Sequence, residues 1–480
     1  MKFSIKTALV LVMTSLVFVS CDDFLDINEN PNSPTEAPIN GLMARVTLES
    51  ARNTNRVAGT TSFFVQQFAS PNPSGSADTH DNVSYETAWS TAYGVLGDAA
   101  DMITLAGETN SPHYAGIGKI LTAYNLSLLV SMYGDVPYSE ALFGETLNPS
   151  YDSSSEIYDE MLSLLAEGIA DLSGPAGDRE VGGDDYIYNG DAEAWIRTAN
   201  ALRARFLNHY SKLPSYDPNA IRSALGNAFR SNDDDFQMSF FEGQGTDAEN
   251  PWYRLAVNNA GLLLGGWLSE HFVDQLNGTT YGVVDPRIDF ITAPATAGDR
   301  IGEYVGVRNG EGRGDAPEAN ARAVLAVGSW YASEPTAPLQ IATYAEMKFI
   351  EAEVNFRDGN TPAAFAAYEA GIRAHMEKLG VPQADIDAYW AEAAVSDLAS
   401  FGLDKIMKEK YVATFLLPET WNDARRFDYG YTNFQLPANH NPALNGEFLR
   451  RVRYPDSEVQ RNSAQMPERT MLDRIFWDTP

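Results

Sequence analysis

Between Ile341 and Leu379 apolar residues recur every three or four positions in two stretches, separated by Asp358-Gly-Asn-Thr-Pro362. Residues at that spacing lie on one helix face, and Gly and Pro break the period. The segment therefore predicts a helical hairpin. Thr361 offers a hydroxyl to cap the second helix, and Pro362 falls at its first position, where the missing N–H costs nothing. Ala352, Ala364, Tyr368 and Gly371 match the small, small, aromatic, small positions of a tetratricopeptide unit. Glu351, Asn355 and Met376 depart from that pattern, so the unit is degenerate and its repeat cannot be counted elsewhere.

The same period marks Ile117, Leu121, Tyr124 and Leu128, and Ile120, Leu126 and Leu129 widen the face into that of a central helix. It stops at Tyr133-Gly-Asp-Val-Pro137. Further helices are predicted over about 39–58, 84–106, 154–172, 191–212, 218–230, 260–276, 341–358, 361–379 and 401–416. The stretch from about Asp233 to Pro338 is rich in Gly, Asn, Asp and Pro, with one good helix, Leu262 to Leu276. Long irregular segments within a folded domain are usually functional surface or disorder. Trp252, Tyr253, Trp267, Trp330 and Tyr331 argue for an ordered surface. The fold class is mostly α, a helical scaffold over 39–480 with a loop-rich insertion at about 233–338.

The N-terminus has a different character. Lys2 and Lys6 precede an apolar run from Ala8 to Val19, too short to span a bilayer, which takes roughly 20 residues, and laid out like an export signal over 1–20. Cys21, the single cysteine of the chain, has no partner for an internal disulfide. Its position after Phe-Val-Ser fits a bacterial lipobox, with Phe18 where an aliphatic residue is usual. Acylation there would make Cys21 an anchor and not a catalyst. Residues 21–38 are Asn-, Pro- and acid-rich and read as a flexible tether.

The formal charge is −31, and loss of Lys2 and Lys6 makes it more negative. Such a field repels nucleic acid and favours cationic surfaces. Six histidines, at 80, 113, 209, 271, 375 and 440, include no pair at zinc-binding helical spacing. No nucleophile elbow or phosphate loop occurs, and nothing calls for a cofactor or a metal. Asp233-Asp-Asp235 lacks the alternating ligands of a calcium loop. Trp89 and Tyr93, one turn apart on a predicted helix, suit core packing. Trp252-Tyr253 and Trp330-Tyr331, with Trp267, place flat rings in loop-rich chain, where a ring can stack on the C–H face of a sugar. Packing beneath the loops is the alternative reading of those rings.

Five stretches carry a family resemblance. They are Cys21-Asp-Asp-Phe-Leu-Asp-Ile-Asn-Glu-Asn-Pro, Trp89-Ser-Thr-Ala-Tyr-Gly-Val-Leu-Gly-Asp-Ala, Lys119 to Leu142, Tyr344 to Glu353, and the C-terminal series Ile406 to Tyr411, Trp421 to Arg426 and Arg451 to Glu458. In this order the chain resembles the SusD/RagB family of outer-membrane nutrient-binding lipoproteins, in its SusD-like subgroup. The resemblance implies a surface lipoprotein, facing outward, that binds an oligosaccharide and delivers it to a TonB-dependent SusC-like transporter without catalysis. A peptide-binding receptor of the same family is the alternative, and a surface glycoside hydrolase a third. The Arg425-Arg426 and Arg451, Arg453 clusters are expected to pair with carboxylates and fix the C-terminal segment.

Overall fold

The computed structural model describes residues 37–142, 146–262, 265–314 and 319–480. The export leader, Cys21 and nearly all of the tether lie outside them. Six helices follow in order: α1 (Ile39–Phe64), α2 (Glu86–Glu108), α3 (Pro112–Tyr133), α4 (Ser154–Leu172), α5 (Ala192–Asn208) and α6 (Pro218–Gly226). Each packs on the next. Helix α3 is buried around most of its girth. It is apolar and long enough to cross a membrane by composition alone, and its place in the stack makes it the core helix its sequence predicts. The helix starts are set by short polar side chains. Ser153 and Glu156 form a reciprocal capping box at α4, and Asp191 and Asp217 accept from the first free backbone N–H groups of α5 and α6.

The loop-rich segment holds more regular structure than its composition suggests. Strand β1 (Phe68–Ala69) leaves α1, and β2 (Phe236–Ser239) opens the segment. Helix α7 (Pro251–Leu262) follows, started by Asn250, whose side-chain oxygen accepts from the backbone N–H of Trp252 at 2.7 Å and of Tyr253 at 3.1 Å. The continuous helix expected from Leu262 to Leu276 does not form. Gly266, at φ +71°, turns the chain out of helical geometry. Trp267–Leu268 then becomes β3, antiparallel to β1 with Phe68 opposite Leu268, and α8 (Glu270–Leu276) starts only after it. Strand β4 (Pro338–Ala342) pairs with β2, so Ile341 and Ala342, expected to begin a helix, end a strand.

The predicted hairpin is present as α9 (Tyr344–Arg357) and α10 (Thr361–Leu379). Its second cap is Asn360, one residue before the expected Thr361, with the Asn360 side chain accepting from the Ala363 N–H at 3.4 Å. Ala352, Ala364 and Tyr368 are buried at the contact. A Cβ on Gly371 would lie 2.9 Å from two carbons of the Phe349 ring, which is why that position takes the smallest residue. Helices α11 (Gln383–Ala391), α12 (Ala393–Ser396), α13 (Leu403–Ala413), α14 (Glu419–Arg426) and α15 (Asp456–Arg461) complete the chain. Helix α13 packs on both arms of the hairpin, and α5 and α6 pack on α9.

Buried ion pairs fasten these layers. Arg205 on α5 donates to both oxygens of Glu346 on α9, at 2.7 and 2.6 Å. Arg426 on α14 grips Glu353 on α9 with two bonds of 2.8 and 2.9 Å. In the loop segment, Arg287 pairs with Asp285 and with Glu409 of α13. The expectation for the C-terminal arginines holds for Arg426 and for Arg453, which meets Asp456 at 2.8 Å. It fails for Arg425, whose guanidinium lies 3.8 Å from the centre of the Trp421 ring and 5.0 Å from that of Trp477. Arg425 donates to the Ser131 and Arg450 carbonyls at 2.9 and 2.7 Å. Burial without a carboxylate partner brings its pKa down to about 10. Arg451 stacks on Tyr454 at 4.5 Å.

Candidate functional site

The five aromatic candidates are not gathered into one open platform. Trp252, Trp267 and Tyr331 are 4, 0 and 3 % exposed, and protein covers their rings. Trp252 meets the Phe68 ring edge-on at 6.0 Å. Trp267 lies in β3. Tyr331 packs edge-on against Phe415 at 5.1 Å, with its hydroxyl 3.1 Å from Nε2 of His375. These rings anchor the loops to the helices in this structure. A segment of about a hundred residues with few helices must still bury apolar surface, and its largest side chains do so. Tyr253 and Trp330 stay half-buried. Trp330 lies 5.1 Å from Tyr331, with the Lys378 ammonium 5.5 Å from its ring. Trp89 and Tyr93, at 4.9 Å, belong to the core contact of α2.

The β1–β3 pairing instead builds a polar cleft of about 240 Å³. It brings the end of α1, the first turn of α8 and the loop at 307–310 to one place, and the chain at 433–437 closes the far side. Gln66, Glu270, His271, Asp274, Asn309 and Gln435 line it, with Arg308 at the rim. The Asn309 side chain donates to the Phe68 carbonyl at 2.8 Å and to Asp78 at 2.5 Å, and it accepts from Ser269 Oγ at 2.5 Å. Asp78 also accepts from the Gly310 N–H at 2.6 Å. Asp78 is thus a buried staple beneath the cleft. Two lining residues, Gln66 and Asn433, adopt left-handed backbone at φ +56° and +64°, an uncommon region for non-glycine residues that the surrounding structure must enforce. The Gln66 side chain donates to the Gln435 carbonyl and holds the two walls together.

Burial sets the electrostatics. His271 is 8 % exposed, and its pKa falls to about 3 because burial disfavours the charged ring, an effect partly opposed by the Asn433 carbonyl. Its Nε2 has no hydrogen-bond partner. The pKa values of Glu270 and Asp274 are both raised by desolvation, and that of Glu270 also by Asp274 one turn away. Among the described residues neither carboxylate has an ion-pair partner, and no group of three or more His, Cys, Asp or Glu could hold a metal. A cleft lined by amides, carboxylates and an imidazole, with Leu436 and Pro437 as its apolar part, offers mostly hydrogen bonds, which suits a hydroxylated ligand. A wider groove of about 550 Å³ lies between α1 and α7, but its Arg52, Arg56 and Arg254 are engaged by Glu49 and Glu249.

Sequence reading missed the cleft. Its walls come from segments more than 350 residues apart, and none of its residues forms a motif. Only the charged Glu270-His-Phe-Val-Asp274 stretch could have drawn notice.

Comparison with known proteins gives a consistent placement. A family model described as "Starch-binding associating with outer membrane" matches residues 31–455. No curated protein matches the chain. Among solved structures, the chain is similar to a chitin-binding SusD homolog from Flavobacterium johnsoniae, at 21 % identity, a TM-score of 0.76, and 92 % and 98 % coverage of this chain and that one. A SusD/RagB family protein from Bacteroides thetaiotaomicron aligns at 20 % identity and a TM-score of 0.74, covering 92 % and 99 %. A SusD homolog from Parabacteroides distasonis aligns at 19 % and 0.78, covering 92 % and 98 %. The chain therefore belongs to the SusD-like family and is a binding protein associated with the outer membrane, not an enzyme.

Proposed function

We propose that this protein is a cell-surface lipoprotein, anchored through Cys21, that captures an oligosaccharide in the polar cleft and delivers it to a TonB-dependent SusC-like transporter. The observation that carries the binding site is His271, a buried residue of the cleft wall whose Nε2 has no protein partner, set among amides, two carboxylates, Arg308 and the apolar Leu436 and Pro437. A buried polar atom without a partner is costly unless something meets it, and a sugar hydroxyl has the matching chemistry. The description of the family as starch-binding and the chitin-binding homolog support glycan as the ligand class. Ligand clefts run from about 300 Å³ upward, so this one takes a terminal unit or a branch, with the rest of the chain running out over the loops. Tyr253 and Trp330, the half-buried rings, are candidates to stack along that path. Residues 39–480 act as one scaffold for it.

Calorimetry with purified protein and a panel of oligosaccharides tests the reading. His271→Phe keeps the ring that packs 4.8 Å from Phe434 but removes Nε2. It should weaken the best ligand by roughly tenfold, the equivalent of one hydrogen bond of about 1 kcal/mol or slightly more. Unchanged affinity would remove the cleft as the site. Cys21→Ser should release the protein from membranes, and mass spectrometry of the native N-terminus should show acyl chains on Cys21.

A further inference from the structure

The cleft has a sign as well as a shape. Glu270 and Asp274 stand one turn apart at the start of α8, on the same face, and both line the cavity. Among the described residues no cation approaches either within ion-pair distance. Asp274 has the Asn277 amide at 3.2 Å, and the side chain of Glu270 has no hydrogen-bond partner. Arg308 at the rim is taken by Glu311 at 2.8 Å, both about half exposed. Arg308 favours the Glu270 anion and Arg300 the Asp274 anion from beyond ion-pair distance. Arg308 is paired with Glu311, however, and Arg300 with Glu303, and counting both pairs as neutral leaves the cleft with two negative charges. His271, also in the cleft wall, adds a neutral imidazole whose buried Nε2 has no protein hydrogen-bond partner. An isolated ammonium has three donors and no acceptor, the complement of two carboxylates and an imidazole lone pair.

We infer that the group this cleft selects is cationic, an amino sugar whose amine is free rather than acylated. The inference rests on the glycan-binding reading of the same cleft. Desolvation already disfavours both carboxylates as anions, and an ammonium between them relieves that and their mutual repulsion. The imidazole, kept neutral by burial, does not oppose a cation as a charged ring would. The net charge of −31 acts over longer range and draws cationic oligomers toward the surface. An N-acetyl group in place of the amine would leave both carboxylates unpaired.

The test uses the whole mature protein and three tetramers of equal length: glucosamine, N-acetylglucosamine and glucose, all β-1,4-linked. Calorimetry should show the glucosamine tetramer binding about tenfold tighter than either neutral one at low salt, since charge-assisted bonds are about twice as strong as neutral ones. That advantage should shrink as salt rises and fall severalfold in Glu270→Gln and Asp274→Asn. The three-way comparison on the unaltered protein stands even if a variant folds poorly. Equal or tighter binding of a neutral tetramer overturns the charge inference and leaves the glycan reading intact. A glucosamine preference undiminished in both amide variants also overturns it, because the cation would then be met elsewhere. If none of the tetramers binds, the charge inference falls, and the glycan reading falls with it when the wider oligosaccharide panel also fails to bind.

Discussion

Glu353 offers the sharpest test of how the helical layers are held. It is 0 % exposed on α9 and accepts two bonds from Arg426 on α14, one from Arg357 at 2.9 Å and one from Asn208 at 2.9 Å. Arg426 also donates to Asp423 at 2.6 Å, and Asp423 meets Lys410 of α13 at 2.8 Å. Three cations thus share two carboxylates, and Glu353→Gln leaves three sharing one. Breaking one side of a buried pair costs about 3–5 kcal/mol because the partner charge stays buried. Arg357 is 23 % exposed at its side chain and can turn to water, which places the expected loss toward the lower figure. Against a typical total of about 5–15 kcal/mol, that is a large fraction. The pKa of Glu353 lies well below its usual value, because the Arg426, Arg357 and Lys410 charges outweigh the burial that pushes it up. Its contribution is therefore present above the unfolded carboxyl pKa and lost as pH falls toward the folded one. Urea unfolding followed by circular dichroism at pH 7 and pH 4 should show a lower midpoint for Glu353→Gln at pH 7, with the slope unchanged. The gap to wild type should narrow on acidification. Glu351→Gln, which disrupts the partly exposed pair with Lys348, should change stability by no more than about 0.5 kcal/mol. A loss below about 1 kcal/mol for Glu353→Gln, or an acid response identical to wild type, would refute the view that this network is dry.

Asp78 titrates in the opposite sense. Burial raises its pKa to about 6, against the pull of the Gly310, Asn309 and Ser70 bonds, so its contribution is full below its unfolded value and is lost as pH rises through about 6; Asp78→Asn should flatten the decline in melting temperature between pH 4 and pH 7, and an unaltered slope would count against the assignment. Gly371→Ala drives a Cβ into the Phe349 ring and should cost about 1–3 kcal/mol, less about 1 kcal/mol of helix propensity. Phe349→Leu in the same chain should recover part of the loss in a double-mutant cycle, and strict additivity would contradict the contact. Trp252→Ala should lose about 3–5 kcal/mol of stability, whereas Trp330→Ala should lose less and act mainly on glycan affinity; the reverse ranking in thermal melts would mean the loops pack differently.

What could be read from the residues divides by distance along the chain. The hairpin at 344–379 and the central α3 were legible because a helix face depends on residues three and four apart. Even the misplaced cap is a local ambiguity, since Asn360 and Thr361 both suit that role and the backbone chose the first. The error at 262–276 arose from a non-local partner. In sequence, Trp267 and Leu268 follow the apolar Leu262, Leu263 and Leu264 across Gly265 and Gly266, and only pairing with Phe68 and Ala69, about two hundred residues earlier, makes Trp267–Leu268 a strand. The aromatics of the insertion correctly signalled order, but a ring that closes a core and a ring that greets a sugar have the same letter. Arg425 shows the same limit: two indoles and two carbonyls surround it, where its neighbour Arg426 finds carboxylates.

The cleft has no wall that belongs to a single stretch of chain: Gln66, Glu270, Asn309 and Gln435 meet only when the strand beside α1 has found its mate and the C-terminal loop has closed over both. The cleft is therefore complete only once residues 433–437, about nine-tenths of the way along the chain, have been made and have closed on segments that precede them by up to about 370 residues.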